Sequence, residues 1–73
     1  MDDYIYKELG ARIVYYRKRK GVTQESMAED VGISCRYLSD IENGKHSGSV
    51  SLKILLKVAE KLGIKLTVLL KDL

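Results

Sequence analysis

Residues 23–44 read TQESMAEDVGISCRYLSDIENG, and this stretch decides the fold. Thr23 heads an amphipathic run, where a hydroxyl oxygen can accept from the free backbone N–H groups of a helix start. Glu25 adds a negative charge in the first turn, as the helix dipole favours. The third helical residue is Ser26, so the reciprocal capping box is absent. Met27, Ala28 and Val31 form one inner face. Gly32 supplies a left-handed backbone position at low cost, and Ile33 is expected to plug the core beneath the turn. Ser34 then caps a second helix whose inner face is Leu38 and Ile41 and which ends at Asn43 and Gly44. Cys35, Arg36, Ser39, Asp40 and Asn43 are left on its outer face. The stretch predicts two short helices joined by a tight turn.

Working outward, Ile5, Leu9, Ile13 and Tyr16 recur at four and three residues and predict an amphipathic first helix. Arg17 to Lys20 close it before Gly21, cations at a helix C-terminus with glycine just past it. A polar loop, Lys45 to Val50, leads to a fourth helix capped by Ser51. Its expected apolar face is Leu52, Leu55, Leu56, Ala59 and Leu62, and Gly63 ends it. Thr67 is expected to cap a short final helix containing Leu69 and Leu70. The reading is all-α, five helices in a single domain over residues 1–73, with no separate sensor domain.

Composition narrows the function classes. In 73 residues, 45% hydrophobic content with 32% charged is enough for a folded core, and the net charge of +3 suits a polyanionic partner without requiring one. The one cysteine, Cys35, excludes an internal disulfide framework and a cysteine zinc site, which fits a reducing cytoplasmic setting. No apolar run approaches the roughly 20 residues of a membrane span, and Asp2 and Asp3 do not open a signal peptide. Gly44-Lys45 is not a phosphate-binding loop, because Ser39 stands where its first glycine would be. No arrangement of nucleophile, base or metal ligands points to an enzyme, and no cofactor or metal is expected.

The residues Thr23-Gln24-Glu25, Ala28, Gly32-Ile33-Ser34, Leu38-Ser39 and Ile41-Glu42-Asn43-Gly44, with the helix from Ser51 to Gly63, resemble the phage-repressor and Cro-like helix-turn-helix family of transcription regulators. The likeness runs from about Leu9 to Leu70 and is that of a small, XRE-type controller-protein-like member. It implies a lambda-repressor-like, five-helix DNA-binding domain with its helix-turn-helix at 23–43 and a dimerisation region at about 51–73. In this family the second helix of the motif lies in the major groove.

By that resemblance Gln24 holds a DNA phosphate and buttresses the first base-reading side chain, in keeping with the anion affinity of a helix N-terminus. Thr23 and Ser34 mark the two helix starts that face DNA. Cys35 and Arg36 fall at base-contacting positions; arginine can pair with guanine, whereas a thiol offers at best a small apolar contact. Tyr37 and Asn43 are expected to donate to phosphate, Ser39 to allow close approach to a base edge, and Asp40 either to accept from cytosine N4 or, the preferred reading, to stay solvated. Lys45 and His46 are expected at the DNA backbone. Arg17 and Glu42 occupy positions that often form a partly buried ion pair between the first and third helices.

Ile54, Val58, Ile64, Leu66, Val68 and Leu73 are apolar in one region of so small a domain, which predicts a homodimer interface. The implied function is a regulator of transcription, autoregulated and binding double-stranded DNA as a homodimer, with RNA polymerase or another protein as a further partner. The alternative is an antitoxin-like module that binds a toxin or other protein.

Overall fold

Three hydroxyl residues set where three of the helices begin. Thr23 Oγ1 accepts from the Ser26 amide at 3.0 Å, Ser34 Oγ from the Tyr37 amide at 2.9 Å, and Ser51 Oγ from the Ile54 amide at 3.1 Å. Each satisfies a backbone N–H with no partner inside its helix and contributes about 1 kcal/mol. In the computed structural model, which describes residues 3–45 and 50–73, they open α2 (Gln24–Val31), α3 (Cys35–Glu42) and α4 (Leu52–Leu62). α1 (Asp3–Lys20) precedes them and α5 (Leu66–Leu70) follows; no strand occurs among the described residues.

The turn between α2 and α3 depends on Gly32, whose φ of 84° a side-chain-bearing residue would resist. Its N–H and that of Ile33 both reach the Ala28 carbonyl, at 2.9 and 3.0 Å, which closes α2 and sends α3 across it. Ile33 packs half-buried against the core. That core gathers Leu9 and Ile13 of α1, Met27, Ala28 and Val31 of α2, and Leu38 and Ile41 of α3. Leu55, Val58, Ala59 and Leu62 of α4 and Leu69 of α5 complete it. An ion pair between Lys61 and Asp30 ties α4 to α2 at the surface.

α4 is turned differently from the expected face. Leu55, Ala59 and Leu62 point inward as predicted, but Leu52 and Leu56 are 61% and 50% exposed. Val58 takes their place and is 1% exposed. The sequence contains two overlapping stripes that share Leu55, Ala59 and Leu62, one completed by Leu52 and Leu56 and the other by Ile54 and Val58. Packing against the rest of the bundle selects the second.

α5 also starts earlier than Thr67. Ile64 N–H reaches the Ala59 carbonyl at 3.1 Å, so only Lys65 is extended before the helix begins at Leu66. Thr67 lies within α5, which has no side-chain cap at its start. Its other end is held instead. Arg12 Nη1 donates to the carbonyls of Leu69 at 3.1 Å and Lys71 at 2.6 Å, while Arg12 Nε pairs with Glu8 at 3.2 Å.

α1 crosses the last turn of α3 at Gly10, which is buried. A Cβ at Gly10 would lie 2.5 Å from the Glu42 carbonyl oxygen and closer still to that of Ile41. Both are main-chain atoms and cannot swing aside. Gly10→Ala should therefore destabilise the domain by about 1–3 kcal/mol, as overpacking does, although alanine favours a helix over glycine by about 1 kcal/mol. Urea unfolding followed by circular dichroism measures it; a more stable Gly10→Ala protein would mean the two helices are not in main-chain contact.

Candidate nucleic-acid interface

Glu42 is the one buried charged residue of the described chain. It ends α3 beneath the crossing with α1, and Arg17 meets it there. Arg17 Nε donates to Glu42 Oε2 at 2.7 Å and Arg17 Nη2 to Glu42 Oε1 at 3.1 Å, a two-pronged pair with side chains 11% and 4% exposed. Arg17 Nη1 donates further to the Val22 carbonyl at 3.0 Å, just before α2. Arg17 thus leaves the solvated run of Lys18, Arg19 and Lys20 to pin the start of α2 and the end of α3 to α1.

Gln24 joins the same carboxylate. Its Nε2 donates to Glu42 Oε1 at 2.9 Å, and its Oε1 accepts from the Cys35 thiol at 3.6 Å. The side chain expected to reach outward for phosphate is therefore also tied inward, with one amide hydrogen uncommitted among the described residues. Thr23 and Ser34 are exposed at the two helix starts. Their oxygens are used as caps, and their hydroxyl hydrogens can still donate to an anion.

Arg36 stands out from the first turn of α3 with its side chain 86% exposed. Asp40 is not solvated as expected: it lies 3.5 Å from Arg36 Nε and is half-buried. The four-residue spacing of the two on one helix face is visible in the sequence and explains the pairing. Asn43 also differs from expectation. Its Nδ2 donates to the Ser39 carbonyl at 2.9 Å and lies 3.4 Å from Ser39 Oγ, so it finishes α3 rather than offering its amide to phosphate. Ser39 and Tyr37 are half-buried, with Tyr37 packed against the core. Lys45 is exposed just past α3, and His46 lies outside the described residues.

The structure thus gathers Thr23, Gln24, Ser34, Cys35 and Arg36 where the starts of α2 and α3 meet. Free N–H groups and dipoles at two helix N-termini there favour an anion such as phosphate. Among the described residues no three His, Cys, Asp or Glu side chains come together as a metal site needs. No helix among them is long and apolar enough to cross a membrane.

Residues 13–69 match the family model described as Helix-turn-helix. The chain belongs to the helix-turn-helix family. A relative within it, the ImmF control region 10 kDa protein of Bacillus phage phi105, is 44% identical over 63 residues, spanning 86% of this chain and 68% of the phage protein. The restriction-modification controller protein C.AhdI of Aeromonas hydrophila superposes with a TM-score of 0.81 at 33% identity, covering 88% of this chain and 94% of the controller. The master regulator for biofilm formation SinR, solved in complex with DNA, gives a TM-score of 0.74 at 36% identity, covering 86% of this chain and 98% of that one.

The Arg17–Glu42 pair should dominate the stability of the motif. Glu42→Ala leaves a buried guanidinium without its partner and is expected to cost about 3–5 kcal/mol, most of what holds so small a domain together. The double variant Arg17→Met/Glu42→Leu should recover most of that loss, since apolar groups of similar size can replace a buried pair. Urea midpoints of the three proteins check this; a Glu42→Ala protein as stable as wild type would show the pair to be solvated.

Proposed function

We propose that this chain is a sequence-specific DNA-binding transcription regulator that works as a homodimer on a pseudo-palindromic operator. One observation carries the reading: the first turn of α3 stands at the surface with Arg36 extended, beside the capped start of α2 and braced from behind by the Arg17–Glu42 pair. In this reading α3 enters the major groove, Arg36 reads a guanine, and Lys45 with the helix starts holds phosphate. Similarity to a phage control-region protein and to a restriction-modification controller supports a small cytoplasmic repressor or controller, regulating its own gene, with binding and no catalysis.

The dimer surface needs redrawing from the expected set. Val58 is buried in the chain's own core and cannot line an interface. Ile54, Ile64, Leu66 and Leu73 pack half-buried against that core, and Val68 is exposed. What faces outward is a continuous band. Leu56, Ile64 and Leu66 line one shallow groove, and Leu66, Val68 and Leu70 line the next. Lysines 57 and 71 and Glu60 border it, so a two-fold partner would meet apolar surface in the middle and both signs of charge at the rim. Two recognition helices held about 34–36 Å apart by such a pair would fit successive turns of DNA.

Two measurements test this reading. Arg36→Ala should cost roughly 1–3 kcal/mol and relax preference at one base pair. Lys45→Ala should instead weaken all sequences evenly and lower the salt slope by about 1 for each phosphate no longer neutralised. Unaltered binding by both variants would sink the assignment of α3. For the dimer, Leu56→Glu/Val68→Glu should sediment as a helical monomer whose operator affinity collapses at protein concentrations where wild type binds. Dimers that survive the double substitution would place the interface elsewhere.

A further inference from the structure

The two helices offered outward in the function proposed above, α3 toward DNA and α5 toward a second copy, do not pack against each other. Among the described residues α3 rests on α1 and α2, and α5 rests on α1 and α4. α1 is the one helix common to both. It meets α3 at Gly10, where no side chain lies between the main chains, and it holds α5 through Arg12. Glu8 accepts from Arg12 Nε at 3.2 Å and so sets the plane of the guanidinium. Arg12 Nη1 carries two hydrogens, and its bonds run to the carbonyls of Leu69 at 3.1 Å and Lys71 at 2.6 Å. Those bonds secure a helix that is otherwise poorly held. α5 has five residues, no side-chain cap at its start and one buried side chain, Leu69. Past its end, Lys71 (φ −59°, ψ 127°) and Asp72 (φ 60°) form a turn of type II shape, closed by a 3.3 Å bond from Leu73 N–H to the Leu70 carbonyl. Glycine is the usual residue where Asp72 stands. The peptide that such a turn flips carries the Lys71 carbonyl, the one Arg12 takes.

We propose that Arg12 sets which separation of DNA half-sites a dimer of this chain accepts, by locking the dimer-forming α5 to the helix that carries α3. The inference rests on the homodimeric DNA-binding function proposed above. In a pair joined through Leu66, Val68 and Leu70, the short route from one α3 to the other runs through α1 and α5, then through the partner in reverse order. The longer route, by α2 and α4, ends at the same α5. Burial of Leu69 is non-directional and lets α5 turn about its contact. Hydrogen bonds are directional, and the two from Arg12 oppose that turning. One added base pair moves a half-site by about 3.4 Å and rotates it by about 35°. A fixed frame cannot follow that change, whereas a loosened α5 can. Arg12 is a positioning residue in this scheme, since it acts through α5.

The test selects an operator from random-sequence duplexes with wild-type protein, then adds or removes one base pair between its half-sites. Binding is measured at protein concentrations where sedimentation shows each variant to be dimeric. Respacing should weaken wild type by about tenfold or more, as one half-site loses its aligned contacts. Arg12→Met keeps the apolar stem and removes the fork. It should bind the selected operator less tightly and show a smaller respacing penalty, with its helical circular dichroism retained. Arg36→Ala should lose affinity yet keep the full penalty, which separates weak binding from loose spacing. A penalty undiminished in Arg12→Met overturns the proposal. Should Arg12→Met fail to fold, Glu8→Gln decides: it removes only the charge that orients the guanidinium. A reduced penalty there supports the proposal and an unchanged one overturns it. A wild-type protein that enriches no sequence, or that binds single half-sites as a monomer, would instead remove the homodimeric DNA-binding reading, and this proposal with it.

Discussion

The crossing of α1 over the last turn of α3 is the constraint on which the rest of the structure depends. Gly10 lets the two main chains touch, and Gly44 repeats the device one step later: a Cβ there would lie 2.7–2.9 Å from atoms of Lys7. Arg17 and Glu42 close the far side of the same crossing with a two-pronged pair. Surface pairs of this kind contribute little. This one is enclosed, and its remaining bonds run to Val22 and Gln24, so no buried polar side-chain atom among the described residues lacks a partner.

Everything else supports that crossing from below. α2 is held at its start by Thr23 and by the Arg17 link to Val22, and at its end by the Gly32 turn into α3. α4 lies under α2 through Leu55, Val58, Ala59 and Leu62 and is tied to it by Lys61 and Asp30. α5 is too short to be stable alone. It inserts Leu69 into the core, and Arg12 of α1 holds its final carbonyls. A domain this small has little core to spare, and these polar ties hold elements that apolar burial alone would leave loose.

The parts legible in the sequence are those set by local chemistry. Thr23, Ser34 and Ser51 announce helix starts, glycines 32 and 63 announce ends, and the inner faces of α1, α2 and α3 follow from the spacing of a few apolar residues. α4 is ambiguous for a physical reason: apolar residues occupy so much of its circumference that two faces are possible, and only packing against α2 and α5 distinguishes them. The start of α5 is hidden because Thr67 looks like a cap, whereas the bond from Ile64 to Ala59 begins the helix sooner. At the site, position along the chain places Gln24 at the start of α2 and Cys35 and Arg36 at the start of α3. It does not show that Gln24 faces Glu42, since that bond joins residues 18 apart and exists only once α2 and α3 are folded against α1. Asp40 and Asn43 look like free side chains along the sequence, but partners one helical turn away claim both.

The close approach at Gly10 has a mechanical meaning. Packed helices ordinarily shift past one another by small shears carried in an interdigitated layer of side chains. At Gly10 main chain rests on main chain, and at that point no side chain cushions α1 against α3. In the DNA-binding reading proposed above, an α3 pinned at this point would dock with little loss of conformational freedom in the protein. In that reading, discrimination between sites would fall on the base edges and on how readily the duplex deforms.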